Sequence, residues 1–395
     1  MADTKPEFSS YPEKSPPKTL IVDLSMKYGG STSRVLSQLS RFPKEQVALA
    51  GLAESAITRE AQKLDLPVYI VGRRKFDPLI IRRLIHIIKN EGFQVLDSQN
   101  IQSKFFASLA STFTRTALVS TINSWYSSEH GGSSIKGWIY TALELATNWN
   151  LSLYITVSEK DRQALLRSGL EAGNIELIYN AVNVEKKDLR GYGWLHRRLN
   201  LPAERLLCTA VGRLVAIKGY DVLVDAAMQA CQEIPLLTCV IIGEGNMRGE
   251  LVDHIQKANL VGRVILAGYF DRNDVLAALK SSDIFVMPSR YEGTPIALLE
   301  AAALACPILA SATGGIPELV INGEHALLVP PDNSSALAEG IVRLCKDRDF
   351  ANYLGSKAQK YINTKFNLES QTAATLHAYQ KAWSIHHQKR LNVFK

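Results

Sequence analysis

Short apolar runs alternate with helix-periodic segments along almost the whole chain, and this alternation constrains the fold most. A strand that is apolar on both faces needs cover on both. A helix between consecutive strands returns the chain parallel to its start. The expected fold class is therefore α/β, with parallel sheets and helices on both faces. A first set of strands reads as Leu20–Leu24, Val47–Leu52, Val68–Val71, Val95–Leu96, Leu118–Ile122, Ser152–Val157 and Ile175–Ile178. Helices are expected at Thr32–Ser40, Pro78–Asn90 and Ser103–Ser111. The scheme then repeats, with strands at Leu206–Val211, Leu237–Ile242, Val264–Ala267, Ile284–Met287, Pro307–Ala310 and Ala326–Val329. Helices are expected at Tyr220–Glu233 and Asn333–Cys345.

A chain of 395 residues exceeds one comfortable core, so two domains are expected. Residues 1–17 carry four prolines among Ser, Lys and Glu and read as a disordered tail. The first domain is expected over 18–182 and a linker over 183–202, where Gly191, Gly193 and Pro202 interrupt the periodicity. The second domain is expected over 203–367, followed by a helical segment over 368–395. The tail has no apolar core of a signal peptide, and the tract Ile296–Ala312 is interrupted by Glu300 and Pro307. The expectation is a cytoplasmic protein without a membrane-spanning segment. Cys208, Cys231, Cys239, Cys306 and Cys345 lack metal-ligand spacing and read as small buried side chains.

Residues 1–200 hold 26 Lys and Arg against 19 Asp and Glu, whereas residues 201–395 hold 19 against 19. The formal excess of +7 therefore lies in the first half, densest at Arg73-Arg74-Lys75 and Arg82-Arg83. Such a face suits an anionic membrane surface, a lipid phosphate or another acidic acceptor. Solvated helix faces would give the same count.

Two segments carry chemistry. In Pro288–Glu300, Glu292-Gly293-Thr294-Pro295-Ile296 sets one carboxylate before a helix, and Glu300 sets a second on it. Thr294 is expected to cap that helix, Pro295 to take its first position, and Cys306-Pro307 to end it. A helix N-terminus behind glycine favours an anion. Carboxylates beside an anion imply hydroxyl donors, and the two together describe a sugar nucleotide. The alternative is a capped core helix with two solvated glutamates. In the second segment, Gly212 ends the Leu206–Val211 run, and Arg213 and Lys218 follow on the loop before the next helix. Glycine admits a ligand to the backbone, while a guanidinium and an ammonium suit a diphosphate.

These segments, with Ile241–Gly245, Gly262–Gly268, Ser282–Ser289, Gly314–Glu318 and Leu327–Asp332, resemble the nucleotide-binding half of retaining GT-B glycosyltransferases of family-four type. The resemblance runs from about Leu206 to Ala382. It implies two Rossmann-like domains facing across a cleft, with Leu368–Ile385 crossing back to the first. It also implies transfer of a hexose-type sugar from a nucleotide diphosphate donor to a glycan, glycolipid or other acceptor, with retained anomeric configuration. Polysaccharide biosynthesis is the expected setting. No cofactor, nucleic acid or metal is expected: Arg213, Lys218 and the helix start would hold the leaving diphosphate.

By the same resemblance, Glu300 would accept the ribose hydroxyls and Glu292 would meet the transferred sugar. Gly29-Gly30 would approach the diphosphate from the opposite wall, and the backbone at Tyr269 would meet the base. The chain departs from the pattern at Asn123, where the family usually carries a histidine. An amide still hydrogen-bonds a hydroxyl but does not shuttle a proton near neutral pH. Either the leaving phosphate is the base, or His130 substitutes, or the protein is a weak or inactive binding subunit. A nucleotide-sugar epimerase or a phosphorylase on the same fold is a further alternative.

Overall fold

The protein is described here from a computed structural model, which covers residues 16–123, 142–184, 191 and 193–393. Most of the Pro-rich tail, and also His130, lie outside the described residues. Strands β1 (Thr19–Asp23), β2 (Val47–Leu52), β3 (Val68–Gly72), β4 (Val95–Ser98), β5 (Ala117–Ile122), β6 (Leu151–Thr156) and β7 (Ile175–Leu177) form one parallel sheet. Their order is β3-β2-β1-β4-β5-β6-β7. A second parallel sheet contains β8 (Leu206–Val211), β9 (Leu237–Ile242), β10 (Val264–Gly268), β11 (Ile284–Met287), β12 (Ile308–Ser311) and β13 (Leu327–Val329). Its order is β10-β9-β8-β11-β12-β13.

The apolar runs form strands because both sheet faces are covered. On β1, Leu20 and Val22 join one core with Leu84, Leu96 and Phe106. Ile21 points to the other face, with Val35, Val119, Ile155 and Tyr379. On β8, Cys208 and Ala210 pack under the Tyr220–Glu233 helix, while Leu207 joins Phe285, Leu298 and Leu195 on the opposite face. All five cysteines are free thiols.

The helix Leu368–Val393 follows the second sheet in sequence but packs on the first. Ala378, Tyr379 and Ala382 are buried there beside Val35, Leu49 and Leu153. Thr375 Oγ1 accepts from Gln38 Nε2 at 2.9 Å, and Lys381 pairs with Glu176 at 2.5 Å. The fold is thus two Rossmann-like α/β domains joined a second time by a returning helix.

Local differences from the sequence reading have physical causes. The segment read as linker contains a helix, Trp194–Arg198, because Leu195 is apolar and fully buried in the second domain's core. The helix after β11 spans Ile296–Ala303 and stops before Cys306, with Ala305 at φ +59 turning the chain toward β12. Among the described residues, no helix is long and apolar enough to cross a membrane.

Candidate active site

Open parallel sheets bind ligands beyond the carboxyl ends of their strands, where the strand order reverses. The reversal falls between β1 and β4 in the first sheet and between β8 and β11 in the second. Gly29 and Gly30 follow β1, Asn123 follows β5, Gly212–Lys218 follow β8, and Glu292–Ile296 follow β11.

The two loops of the second domain are pinned together. Gly219, at φ +63, lies so close to Pro288 that a Cβ would sit 2.1 Å from the Pro288 carbonyl oxygen. Only glycine combines that backbone angle with that approach. Arg290 N–H donates to Ile217 O at 2.8 Å, and its guanidinium also bonds Ala216 O. The same guanidinium forks onto Asp221 at 3.0 and 2.6 Å and reaches Asp332 at 2.7 Å. Lys218 Nζ is thereby held 2.5 Å from Glu292 Oε1, which also accepts from Ser289 Oγ at 2.7 Å. Glu292 is buried, whereas Arg213 is exposed on the same loop. Arg213 acts electrostatically on the Tyr220 phenol, which burial and Glu292 push well up. Gly212, at φ +156, closes β8 by donating to Ile242 O at 3.0 Å.

The helix Ile296–Ala303 starts differently from the sequence expectation. Pro295, in extended conformation, is its N-cap residue rather than its first helical residue. Thr294 does not cap: its hydroxyl donates to Val157 O of the other domain, and its carbonyl accepts from Asn180 Nδ2 at 2.7 Å. The first amides of this helix therefore have no side-chain cap. Glu300, one turn on, is buried and pairs with Arg272 Nε at 3.3 Å. Burial pushes its carboxyl up, and Arg272 opposes the shift. The Tyr28 phenol, raised by burial, feels Arg272, Glu300 and Tyr269. Tyr269 itself is 63% exposed, and Glu60 and Lys63 of the first domain act on it.

First-domain groups close the other wall. A Cβ on Gly30 would lie 3.8 Å from Ile296 Cγ1, so this glycine faces the start of that helix. Gly29 is the extended N-cap of the Gly30–Leu39 helix. At Gly293, a Cβ would approach the Asn123 carbonyl oxygen to 2.5 Å, which draws Asn123 against the Glu292 loop. Asn123 Nδ2 donates to Gln99 O at 3.2 Å, and among the described residues its buried Oδ1 accepts no hydrogen bond. The geometry therefore assembles Gly30, Asn123, Gly293 and Ile296, and separately Lys218 with Glu292 and Glu300 with Arg272. Tyr269 and Arg213 are the exposed members of the set.

The domains are clasped beside this site. Glu318 accepts from the backbone N–H groups of Glu159 and Lys160 at 2.7 and 3.0 Å, and Tyr291 OH donates to Asp161 at 2.7 Å. Gly315 N–H donates to Glu292 O at 2.9 Å, so the Gly314-Gly315 turn steadies the catalytic-loop candidate rather than facing a ligand. Tyr28, Arg272, Arg290 and Glu318 were not legible as site residues. Their partners lie in other elements, and nothing in local spacing announces such pairs.

Behind Asn123 lies a buried charged cluster. Asp97 accepts from Thr121 Oγ1 at 2.8 Å, Gln99 Nε2 at 2.9 Å and Tyr379 OH at 2.7 Å. Arg34 is buried beside it and donates to Gln99 Oε1 at 3.4 Å. Burial pushes the Asp97 carboxyl up to about 6 in spite of these donors.

Two parallel α/β domains whose switch points face each other define the GT-B architecture. Residues 195–361 match the family described as glycosyl transferases group 1, and residues 28–186 match Glycosyltransferase Family 4. The chain belongs to the group 1 glycosyl transferases of GT-B fold. It is similar to an uncharacterized glycosyltransferase of Methanocaldococcus jannaschii, at 26% identity over 62% of this chain and 64% of that protein. The chain spans less than two thirds of that protein and of several other curated relatives. An Escherichia coli UDP-Gal:alpha-D-GlcNAc-diphosphoundecaprenol alpha-1,3-galactosyltransferase is 26% identical over 72% of this chain and 74% of its own. The solved structure of Anabaena HepE in complex with UDP-glucose shares the fold, with TM-score 0.79 and 23% identity over 91% of this chain and 99% of that one.

Proposed function

We propose that the protein is a retaining glycosyltransferase that moves a hexose-type sugar from a nucleotide diphosphate donor to a glycan, lipid-linked or other acidic acceptor. The observation that carries this reading is the Lys218–Glu292 pair, 2.5 Å apart, beside a helix start without a side-chain cap and across from Gly30. A cation, free amides and a carboxylate at one switch point suit a diphosphate joined to a hydroxyl-rich ring. Structural relatives crystallised with UDP and UDP-glucose, and a relative named for a UDP-Gal donor, support the donor class.

In the proposed reaction the bond between the sugar's anomeric carbon and the diphosphate oxygen breaks. The acceptor oxygen bonds to the same carbon on the same face, and its proton passes to a leaving phosphate oxygen. Arg213, Lys218 and the Thr294–Ile296 backbone stabilise the charge that grows on the diphosphate. Glu292 exchanges Lys218 for sugar hydroxyls when the donor enters, and Asn123 Oδ1 accepts from another. Glu300, steadied by Arg272, holds the ribose, and the Tyr269 backbone meets the base, with Gly29 leaving the backbone open and Gly212 admitting the Tyr220 hydroxyl beside the loop. Because protein cations supply the countercharge, turnover is expected to survive a chelator. The place of action is proposed as the cytoplasmic face of a membrane.

The test is a hydrolysis and transfer screen of the purified protein against a panel of sugar nucleotides. One donor class should be turned over, and Lys218→Ala should lower kcat by about two orders of magnitude or more while nucleoside diphosphate binding changes far less. Binding without turnover of any donor would leave only a binding subunit.

A further inference from the structure

We infer that the loop after β3 is the binding site for the diphosphate head group of an acceptor carried on an apolar chain. This deepens the proposed function, on which it rests. Arg73, Arg74, Lys75 and Phe76 are consecutive and exposed, and they line a cavity of about 820 Å³ together with Ile70 and Arg83. Arg83 is already committed: it bonds Asp77 at 2.7 Å and Val71 O at 3.0 Å, which fixes the loop's far side. Arg73, Arg74 and Lys75 form no ion pair among the described residues. Three adjacent cations held so close together repel one another, and a multivalent anion relieves that repulsion.

The apolar part of the site is equally specific. Phe76 is 82% exposed, and Leu79 and Ile70 beside it are 48% and 41% exposed. Scattered exposed apolar side chains need no explanation, but three of them around a tricationic loop form an amphiphilic surface. A free diphosphate would leave Phe76, Leu79 and Ile70 in water, and a neutral glycan would leave the cations unmatched. An anionic head on an apolar chain satisfies both.

The location fits an acceptor. All strands of the first sheet are parallel, so the loop after β3 emerges at the same edge as the Gly29–Gly30 loop and Asn123. Gln102 Nε2 bonds the Lys75 carbonyl, and Lys75 acts electrostatically on Asp23 at the end of β1. The loop is thus tied to the strand that leads into the donor crevice.

The test uses the full chain and farnesyl diphosphate as a short-chain probe, with inorganic diphosphate and farnesol as its separate halves. Calorimetric titration should show farnesyl diphosphate binding at least about tenfold tighter than either half. Binding should persist with UDP at saturation. R73E/R74E and, separately, F76D should each weaken probe binding about tenfold or more without changing sugar-nucleotide hydrolysis. Displacement by UDP, equal affinity for inorganic diphosphate, or unchanged binding in both variants would overturn the assignment. So would equal competition by anionic phospholipid vesicles that carry no diphosphate, since that marks a general membrane surface. Failure of the donor reading shows separately, as absent sugar-nucleotide turnover with probe binding intact.

Discussion

Lys218 and Arg213 occupy one loop and are given one chemical task, yet their surroundings differ. Lys218 compensates the buried Glu292, whereas Arg213 is exposed. Lys218→Ala should destabilise the protein by about 2 kcal/mol, because it leaves a largely buried carboxylate with Ser289 as its donor among the described residues. Arg213→Ala should cost less, about 1 kcal/mol at most, since its interactions are made from an exposed position. Urea unfolding of both variants, set beside their turnover, separates folding from catalysis. Asp97 makes a second prediction. Its carboxyl is raised from the ordinary 3.8 to about 6, so the folded state binds its proton more tightly than the unfolded chain does. The associated stability is present below about pH 4 and lost as the pH rises through about 6, a change of about 3 kcal/mol. Unfolding free energies of the parent and Asp97→Asn across that window should diverge by that amount, the parent falling relative to the variant. A parallel pair of curves would show that Asp97 is not buried as described.

At the scale of elements, Gly219 carries more than its own residue. It lets the loop after β8 pack against the loop after β11, and that approach, with the Arg290 bonds to Ile217 O and Ala216 O, brings Lys218 to Glu292. Gly219→Ala combines an unfavourable φ of +63 with a clash against Pro288 O, and the two loops must separate. The variant should lose about 1–3 kcal/mol of stability, and nucleoside diphosphate affinity with it; thermal melting with and without the nucleotide reads both. Much of this element structure was legible in the sequence. The strands Val47–Leu52, Leu206–Val211, Leu237–Ile242 and Ile284–Met287 begin and end where their apolar runs do, because burial on both faces leaves no charged residue inside them; Thr209 and Thr238 are the buried polar exceptions. The start of the Ile296–Ala303 helix was not legible: Thr294 has cap chemistry, but its hydroxyl is taken by Val157, in the other domain. Donation to that tertiary acceptor turns the hydroxyl away from the helix amides it would accept from as a cap, and no local pattern encodes that.

At the scale of the molecule, the site exists only where the two domains meet, so what holds them determines what it can do. One connection is the Leu368–Val393 helix, whose Tyr379 reaches Asp97 behind Asn123. Another is Glu318, whose carboxylate accepts from the amides of Glu159 and Lys160 at the start of the Glu159–Arg167 helix. A carboxylate there also meets the positive end of the helix dipole, so the bond is stronger than a neutral one. Glu318→Ala should leave each domain's core intact, because Ile316 and Leu319 remain to pack the turn. The Glu159 and Lys160 amides lose a charged acceptor worth about 1.5–3 kcal/mol, so their hydrogen exchange should accelerate by about tenfold or more. The Thr294–Val157, Asn180–Thr294 and Tyr291–Asp161 bonds then remain, and scattering should report a broader spread of interdomain distances. Donor affinity should fall with it, since Gly30 and Ile296 come from opposite domains. If exchange at those two amides is unchanged, Glu318 is not what fixes the angle between the lobes, and the returning helix sets it with the Thr294 and Tyr291 bonds.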